Sequence, residues 1–282
     1  MRRHAYILAA DPTYLAASVR AYYPVVDRIV VSYDRGHRSW AGQHLPGEEA
    51  IAQVKAVDVD GKCVLAPGDY SDPDGPVLDV ETHQRQTALD QASEGADWVL
   101  TLDTDEVIRR LDPFLGALGR AEDAGADALH YPARWLYNRV GEDLFLETST
   151  RWGRTVTHYP GPLAVRAGTR LDHCRQTLAP HYRVDIRPWN ADPYHPRGTL
   201  VHEVVHPRDA VMHFSWVRDD AAMRAKFAWS GHADQYAEPT VYRHWVWRTQ
   251  HPRLAAAASV LRRHDRDRYR VLHLPGAPEA RV

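Results

Sequence analysis

Asp97-Trp98-Val99-Leu100-Thr101-Leu102-Asp103-Thr104-Asp105-Glu106 is a short apolar run that ends in a cluster of acids. A run of this length, bounded by polar residues, reads as a buried strand with its chemistry at the C-terminal end. On an extended backbone residues i and i+2 point to the same side, so the carboxylates of Asp103 and Asp105 are expected to converge just past the strand. Two acids that close repel unless a cation lies beside them. A divalent ion, Mn²⁺ or Mg²⁺, takes such hard oxygen donors and shares its shell with phosphate oxygens. The plainer alternative is a helix start, with Asp103 as its cap and Asp105 and Glu106 on the first turn.

Working outward, the alternation around this strand sets the fold class. Ala5–Ala10 reads as a buried strand and Asp11-Pro12-Thr13 as a turn. Tyr14, Leu15, Ser18, Val19 and Tyr22 recur at helical spacing until Pro24 stops them, and Val25–Tyr33 reads as a second strand. The segment from Gly36 to Gly75 is punctuated by Gly and Pro, with a strand expected at Lys62–Leu65. Glu81–Gly95 is expected to be helical, with Ala88, Leu89 and Ala92 on one face. Strands alternating with helices through residue 105 predict an α/β fold with an open, mostly parallel sheet and ligands at the strand C-termini.

The second half is less regular. A helix is expected over Leu111–Gly125, a strand over Ala128–Leu136, short strands and loops over 138–168, and an irregular surface excursion over 178–198. Thr199–Val205 and Ala210–Val217 read as two strands joined by a turn at His206–Asp209. A helix follows from Asp219 or Asp220 to about Tyr236, and Val241–Arg263 is helical except at Pro252.

Composition narrows the classes. With 35 Lys+Arg against 37 Asp+Glu the net charge is −2, which excludes the basic footprint of a generalist nucleic-acid binder and an acidic disordered tail. The chain carries 17 His and 9 Trp but only 4 Phe, so rings with polar handles dominate, as suits stacking on sugars or bases. The opening Met1-Arg2-Arg3-His4 leads into too short an apolar run for a secretory signal, and no stretch is long enough for a membrane helix. Cys63 and Cys174 form no metal or disulfide framework, so the expected setting is cytoplasmic.

The order of βαβ unit, Arg-bearing helix and ADWVLTLDTDEV resembles the GT-A nucleotide-sugar glycosyltransferases, and within them the glycosyltransferase family 2-like proteins. Val201-His202-Glu203 resembles a motif many of them carry after the acceptor-side strands, and Met212-His213-Phe214 resembles their later strand with a His. HFSWVRDDAAMRAKFAWSGHAD is similar to the C-terminal part of the family 17-like glycosyltransferases. The resemblance spans roughly residues 4–235. It implies a Rossmann-like GT-A domain over 1–236, with a nucleotide-binding half at 1–110 and an acceptor half at 111–236, followed by a helical C-terminal extension at 237–282. It also implies a nucleotide diphosphate sugar as donor and an inverting transfer. The acceptor could be a glycan, a lipid-linked group, a natural product or a protein. Where family 2-like sequences open with a Pro-Thr/Ala-x-Asn-Glu turn, this chain has Ala9-Ala10-Asp11-Pro12-Thr13.

Roles follow from the chemistry of transfer, which needs charge stabilisation of the leaving diphosphate, a placed acceptor hydroxyl and, for inversion, a base. Asp105 and Asp103 are expected to hold the metal, with His213 as a third ligand through a neutral imidazole. The resemblance puts Arg85 near the nucleotide and Asp34 on the base or ribose; Arg85 or Lys226 could neutralise phosphate charge. For the base, Glu203 is the first choice, because flanking Val201, Val204 and Val205 could raise its pKa, with Asp219 and Asp220 as competitors. Trp135, Tyr137 and Trp216 could stack on sugars, and the resemblance implies an acceptor side lined by Asn138 and Arg166. The helices over 239–263 could lie on a membrane surface or cover the sheet. Three other readings remain. A non-catalytic carbohydrate-binding or scaffold protein would keep the sheet without turnover. A nucleotidyltransferase would need a Gly-rich basic loop after the first strand. A glycosidase would place its two acids on separate elements.

Overall fold

The computed structural model describes residues 1–230, 238–261 and 268–279. The N-terminal half forms the expected alternation: β1 (Arg3–Leu8), α1 (Leu15–Tyr22), β2 (Arg28–Asp34), α2 (Gly47–Val57), β3 (Cys63–Gly68), α3 (Val77–Ser93) and β4 (Trp98–Leu100). β1 is buried along almost its whole length because the sheet is covered on both faces, which is why AYIL reads as a continuous apolar run. α3 starts a turn earlier than its apolar face predicts. Its buried stripe is Glu81, Gln84, Arg85, Ala88, Leu89 and Ala92, so the apolar half packs on the sheet while the polar half points to the strand ends.

The remaining elements are β5 (Glu106–Val107), α4 (Leu111–Asp123), β6 (Ala128–His130), β7 (Ala133–Gly141), β8 (Leu144–Ser149), β9 (Ala164–Arg166), β10 (His181–Asp185), β11 (Glu203–Val204), β12 (Val211–His213), α5 (Asp220–Trp229), α6 (Pro239–Gln250), α7 (Pro252–Leu261) and β13 (Arg268–His273). Eight strands form the main sheet in the order β11-β10-β6-β9-β4-β1-β2-β3, parallel except for β9. Five form a smaller sheet, β13-β8-β7-β12-β5, in which only β7 and β12 run parallel. The chain is thus the mixed α/β, mostly parallel sheet with flanking helices that its sequence predicts.

Four details differ from expectation. The single strand expected at Ala128–Leu136 is two, because Tyr131-Pro132 carries the chain from the main sheet into the small one. The excursion expected over 178–198 contains β10, whose Arg183 and Asp185 are both fully buried and pair at 2.8 Å; mutual neutralisation lets a polar segment sit inside a sheet. The strands expected at 199–205 and 210–217 are not a hairpin, since β11 lies at an edge of the main sheet and β12 inside the small sheet. The stretch from 237 onward is not helical throughout: β13 pairs with β8 over six residues and completes the small sheet. The end of the helix expected to reach Tyr236 lies outside the described residues.

Candidate active site

The acidic turn sits where the two sheets meet. β4 ends in the main sheet and β5 begins the small one, so Asp103-Thr104-Asp105 spans the junction. Asp103 and Asp105 face one cavity of about 590 Å³, together with Asp34, Arg85, His213 and Lys226. Its second wall is aromatic and includes Trp135, Tyr137 and Trp216.

A buried clamp holds the turn. Glu106 accepts the Asp103 backbone N–H at 2.9 Å, and Arg175 grips both its oxygens at 2.5 and 2.7 Å while donating to the Thr101 carbonyl at 2.7 Å. This bidentate geometry is the strong form of ion pairing. Gly161 makes room for it: a Cβ there would fall 2.4 Å from Arg175 Cγ.

The two expected acids take different partners. Asp103 faces Arg85, whose Nη1 lies 2.9 Å from Oδ1 but off hydrogen-bond geometry, and Arg85 Nε donates to Glu81 at 2.8 Å. Asp105 is enclosed. Lys226 Nζ and Arg218 Nη2 each donate to its Oδ2 at 3.0 Å, and His213 Nε2 lies 3.1 Å from its Oδ1. Arg218 also bonds Asp11 in the loop after β1, and Asp11 in turn accepts from Thr13. Burial pulls the Asp105 carboxyl upward, but Lys226, His213 and Arg218 overcome it and hold the group well below the ordinary carboxylate range. Burial, with Arg218 nearby, pushes the Lys226 ammonium down, against the pull of Asp105 and Asp11.

These contacts bear on the expected divalent ion. Both Asp105 oxygens face donors from the chain, and any cation on Oδ2 would share it with two fixed positive charges. Like unit charges about 4 Å apart repel by roughly 4 kcal/mol at an effective dielectric of 20, and a divalent ion doubles this. Asp103 is turned toward Arg85, and among the described residues no group of three or more His, Cys, Asp or Glu is arranged to hold a metal. The donor set therefore does not fit Asp103, Asp105 and His213 as a metal centre. The repulsion between the two acids is relieved instead by Arg85 on one side and Lys226 with Arg218 on the other.

Asp34 lies at the end of β2 and lines the same cavity. Its carboxylate accepts the backbone N–H groups of Gly36 and Arg38 at 3.0 Å and of Tyr70 at 2.8 Å, so it shapes the loop that borders the cavity. On the aromatic wall Tyr137 stacks on Trp216 with ring planes 12° apart, and Trp135 stacks on His158 with its edge to His213. Burial pushes the His158 imidazole down to about 4.

Five expected residues lie elsewhere. Glu203 is held by Arg120 of α4 at 2.5 and 3.0 Å at the edge of the main sheet and does not line the cavity. Its apolar neighbours do not enclose it, since β11 is an edge strand and Val204 is 52% exposed. Asp219 caps α5 by accepting the Ala222 N–H at 2.7 Å, and Asp220 pairs with Arg224 on the exposed side of that helix. Asn138 bonds Thr249 of α6 and Arg166 pairs with Asp127, both away from the cavity. Conversely, Asp11, Glu81, Glu106, Arg175 and Arg218 build the site without having been singled out. Glu81 lies four residues before Arg85 on a predicted helix, a legible i,i+4 pair, and Glu106 lies three residues after Asp103, whose N–H it accepts; Asp11, Arg175 and Arg218 reach the site only through the fold.

No family model matches the chain, and no curated protein matches it. Solved structures do match, at low similarity. Mannose-6-phosphate isomerase from Helicobacter pylori shares 11% identity over 51% of this chain and 53% of its own, with a TM-score of 0.28, so the chain spans about half of that enzyme. The 2-C-methyl-D-erythritol 4-phosphate cytidylyltransferase of Francisella tularensis shares 14% identity over 60% of this chain and 74% of its own, with a TM-score of 0.31. A mannose-1-phosphate geranyltransferase from Thermus thermophilus shares 14% over 60% and 51%, with a TM-score of 0.29. At these scores the activities of those enzymes remain theirs. No helix among the described residues is long and apolar enough to cross a membrane.

Proposed function

We propose that this chain is a glycosyltransferase that takes a nucleotide diphosphate sugar in the cavity at the end of β4. The observation that carries the reading is the convergence, in one cavity, of the strand-end Asp103 and Asp105 with Arg85 and Lys226 and a wall of stacked aromatic rings. The nucleoside lies toward Asp34 and the loop it shapes. The diphosphate lies against Lys226 and Arg85. Lys226 spends two of its three N–H groups on Asp105 and Ser215, leaving one for an anion. Arg85 Nη1 likewise makes no well-formed hydrogen bond. Asp105 and Asp103 hold these cations in place, so the developing charge on the leaving diphosphate meets donors that need no reorganisation. The acceptor sugar stacks near Trp216 and Tyr137.

The proton acceptor in this account is not Glu203, Asp219 or Asp220, none of which lines the cavity. Transfer from a nucleoside triphosphate is less well served. The loop after β1 places Asp11, an acid, where such a ligand would need cations, and Arg218 is consumed in pairing with it. The test is release of nucleoside diphosphate from a panel of nucleotide sugars, with and without sugar acceptors. Turnover of at least one donor by the wild type, lost in Asp105→Asn and Lys226→Ala, is expected. No turnover of any donor by the folded wild type would favour a carbohydrate-binding scaffold.

A further inference from the structure

The small sheet separates two concave sites. On β7 and β12 neighbouring residues point to opposite faces. Trp135 and His213 therefore face the candidate active site, while Arg134 and Met212 face a second cleft, also of about 590 Å³. Among the described residues five arginines line that second cleft, Arg109, Arg110, Arg134, Arg208 and Arg270, and no Asp or Glu does. In a chain of net charge −2 this is a marked local excess.

The acids behind the cleft do not balance it. Glu147, fully enclosed, is shared by Arg134 at 2.7 Å and Arg270 at 2.5 Å. Asp209 pairs with Arg110 at 2.5 Å and lies 3.9 Å from Arg208, beyond hydrogen-bond reach. Arg109 donates to the Pro275 carbonyl and pairs with no carboxylate among the described residues. Among the described residues two carboxylates thus serve five guanidinium groups, which leaves three formal positive charges around one concavity, with His206 and His273 beside them. Arg134, only 5% exposed, is fixed further by donating to the Pro207 carbonyl, and Arg270 by donating to Thr155 and the Gly153 carbonyl. The floor is rigid while Arg109 and Arg208 are exposed at the rim.

We propose that this cleft is a second binding site, for a multiply charged, phosphate-bearing anion. Planar guanidinium forks match phosphate oxygens two at a time, and an excess of three charges suits a phosphate group or a pair of them better than a single carboxylate. The volume is that of a small-molecule site. The ligand is either a soluble phosphorylated compound or the headgroup of an anionic lipid, which share this chemistry.

The first probe is inorganic pyrophosphate, followed by calorimetry and by mass-spectrometric mapping of arginine modification with phenylglyoxal. Pyrophosphate is expected to protect Arg109 and Arg208 in the wild type and equally in Lys226→Ala, which separates this cleft from the other cavity. The double variant Arg109→Ala/Arg208→Ala, changed only at exposed side chains, is expected to lose the corresponding binding by about tenfold or more while melting at the wild-type temperature. The second probe is sedimentation with phosphatidylglycerol vesicles against phosphatidylcholine vesicles. Pelleting with the former alone, lost in the double variant, identifies a lipid headgroup; pyrophosphate protection without pelleting identifies a soluble ligand. The absence of both protection and pelleting overturns the proposal, as does binding that the double variant retains.

Discussion

The ends of β4 and β11 both carry an acid held by cations, and they differ in where those cations come from. At β4, Asp105 gathers Lys226 from α5 and Arg218 from the segment before α5, with the His213 ring of β12 beside them, at a cavity that Asp105, Lys226 and His213 line. At β11, Glu203 meets one arginine, Arg120, that is half exposed on an outer helix. A carboxylate becomes a site when several elements converge on it, and remains a surface ion pair when one neighbour suffices. Such exposed pairs are worth about 0–1 kcal/mol, whereas removing one partner from a buried set leaves uncompensated charge.

The largest effect should come from breaking the β4 end. Asp105→Ala leaves Arg218 and Lys226 buried without their shared carboxylate, and a loss of about 3–5 kcal/mol is expected in chemical denaturation. Acidification sharpens the contrast at the aromatic wall. His158 is held near 4 by burial, with His213 lowering it further and Asp192 opposing, against 6.5 in the unfolded chain. Its neutral form thus favours the folded state fully above pH 6.5, and that contribution is lost as pH falls toward 4, by up to about 3 kcal/mol. Denaturation curves across this window should show the loss, and His158→Gln should flatten it. Gly161→Ala should cost about 1–3 kcal/mol by pushing Arg175 off Glu106, and it should weaken donor binding through the loosened turn. The smallest effect belongs to β11: Glu203→Gln is expected to shift stability by less than about 1 kcal/mol and leave donor turnover at the wild-type level.

The same contrast explains what the sequence discloses. Asp103 and Asp105 are legible because an apolar strand announces the position of its end, and Arg85 through the resemblance, which implies an Arg on this helix near the nucleotide. Lys226 is legible only as a helical lysine that could serve a phosphate. Arg175 and Arg218 lie on irregular segments, 69 and 113 residues from the acids they grip, with no local pattern to mark them. Glu203 misleads for the opposite reason: valines around it suggest burial, but β11 is at a sheet edge and turns Val204 to solvent. β10 hides inside a polar segment because Arg183 and Asp185 neutralise each other. Periodicity reports on burial by apolar groups and is silent on burial by paired charges.

The divalent ion follows the same logic. Two acids close in sequence call for positive charge, and the fold supplies it from Arg85, Lys226 and Arg218. Titration calorimetry of nucleoside diphosphates, in EDTA and in Mn²⁺, tests this most directly. With the second cleft disabled by Arg109→Ala/Arg208→Ala, the account predicts that the protein binds at least one nucleoside diphosphate in EDTA, that Mn²⁺ does not tighten it, and that adding Lys226→Ala abolishes binding. Binding that appears only with Mn²⁺, or that survives Lys226→Ala unchanged, would contradict it.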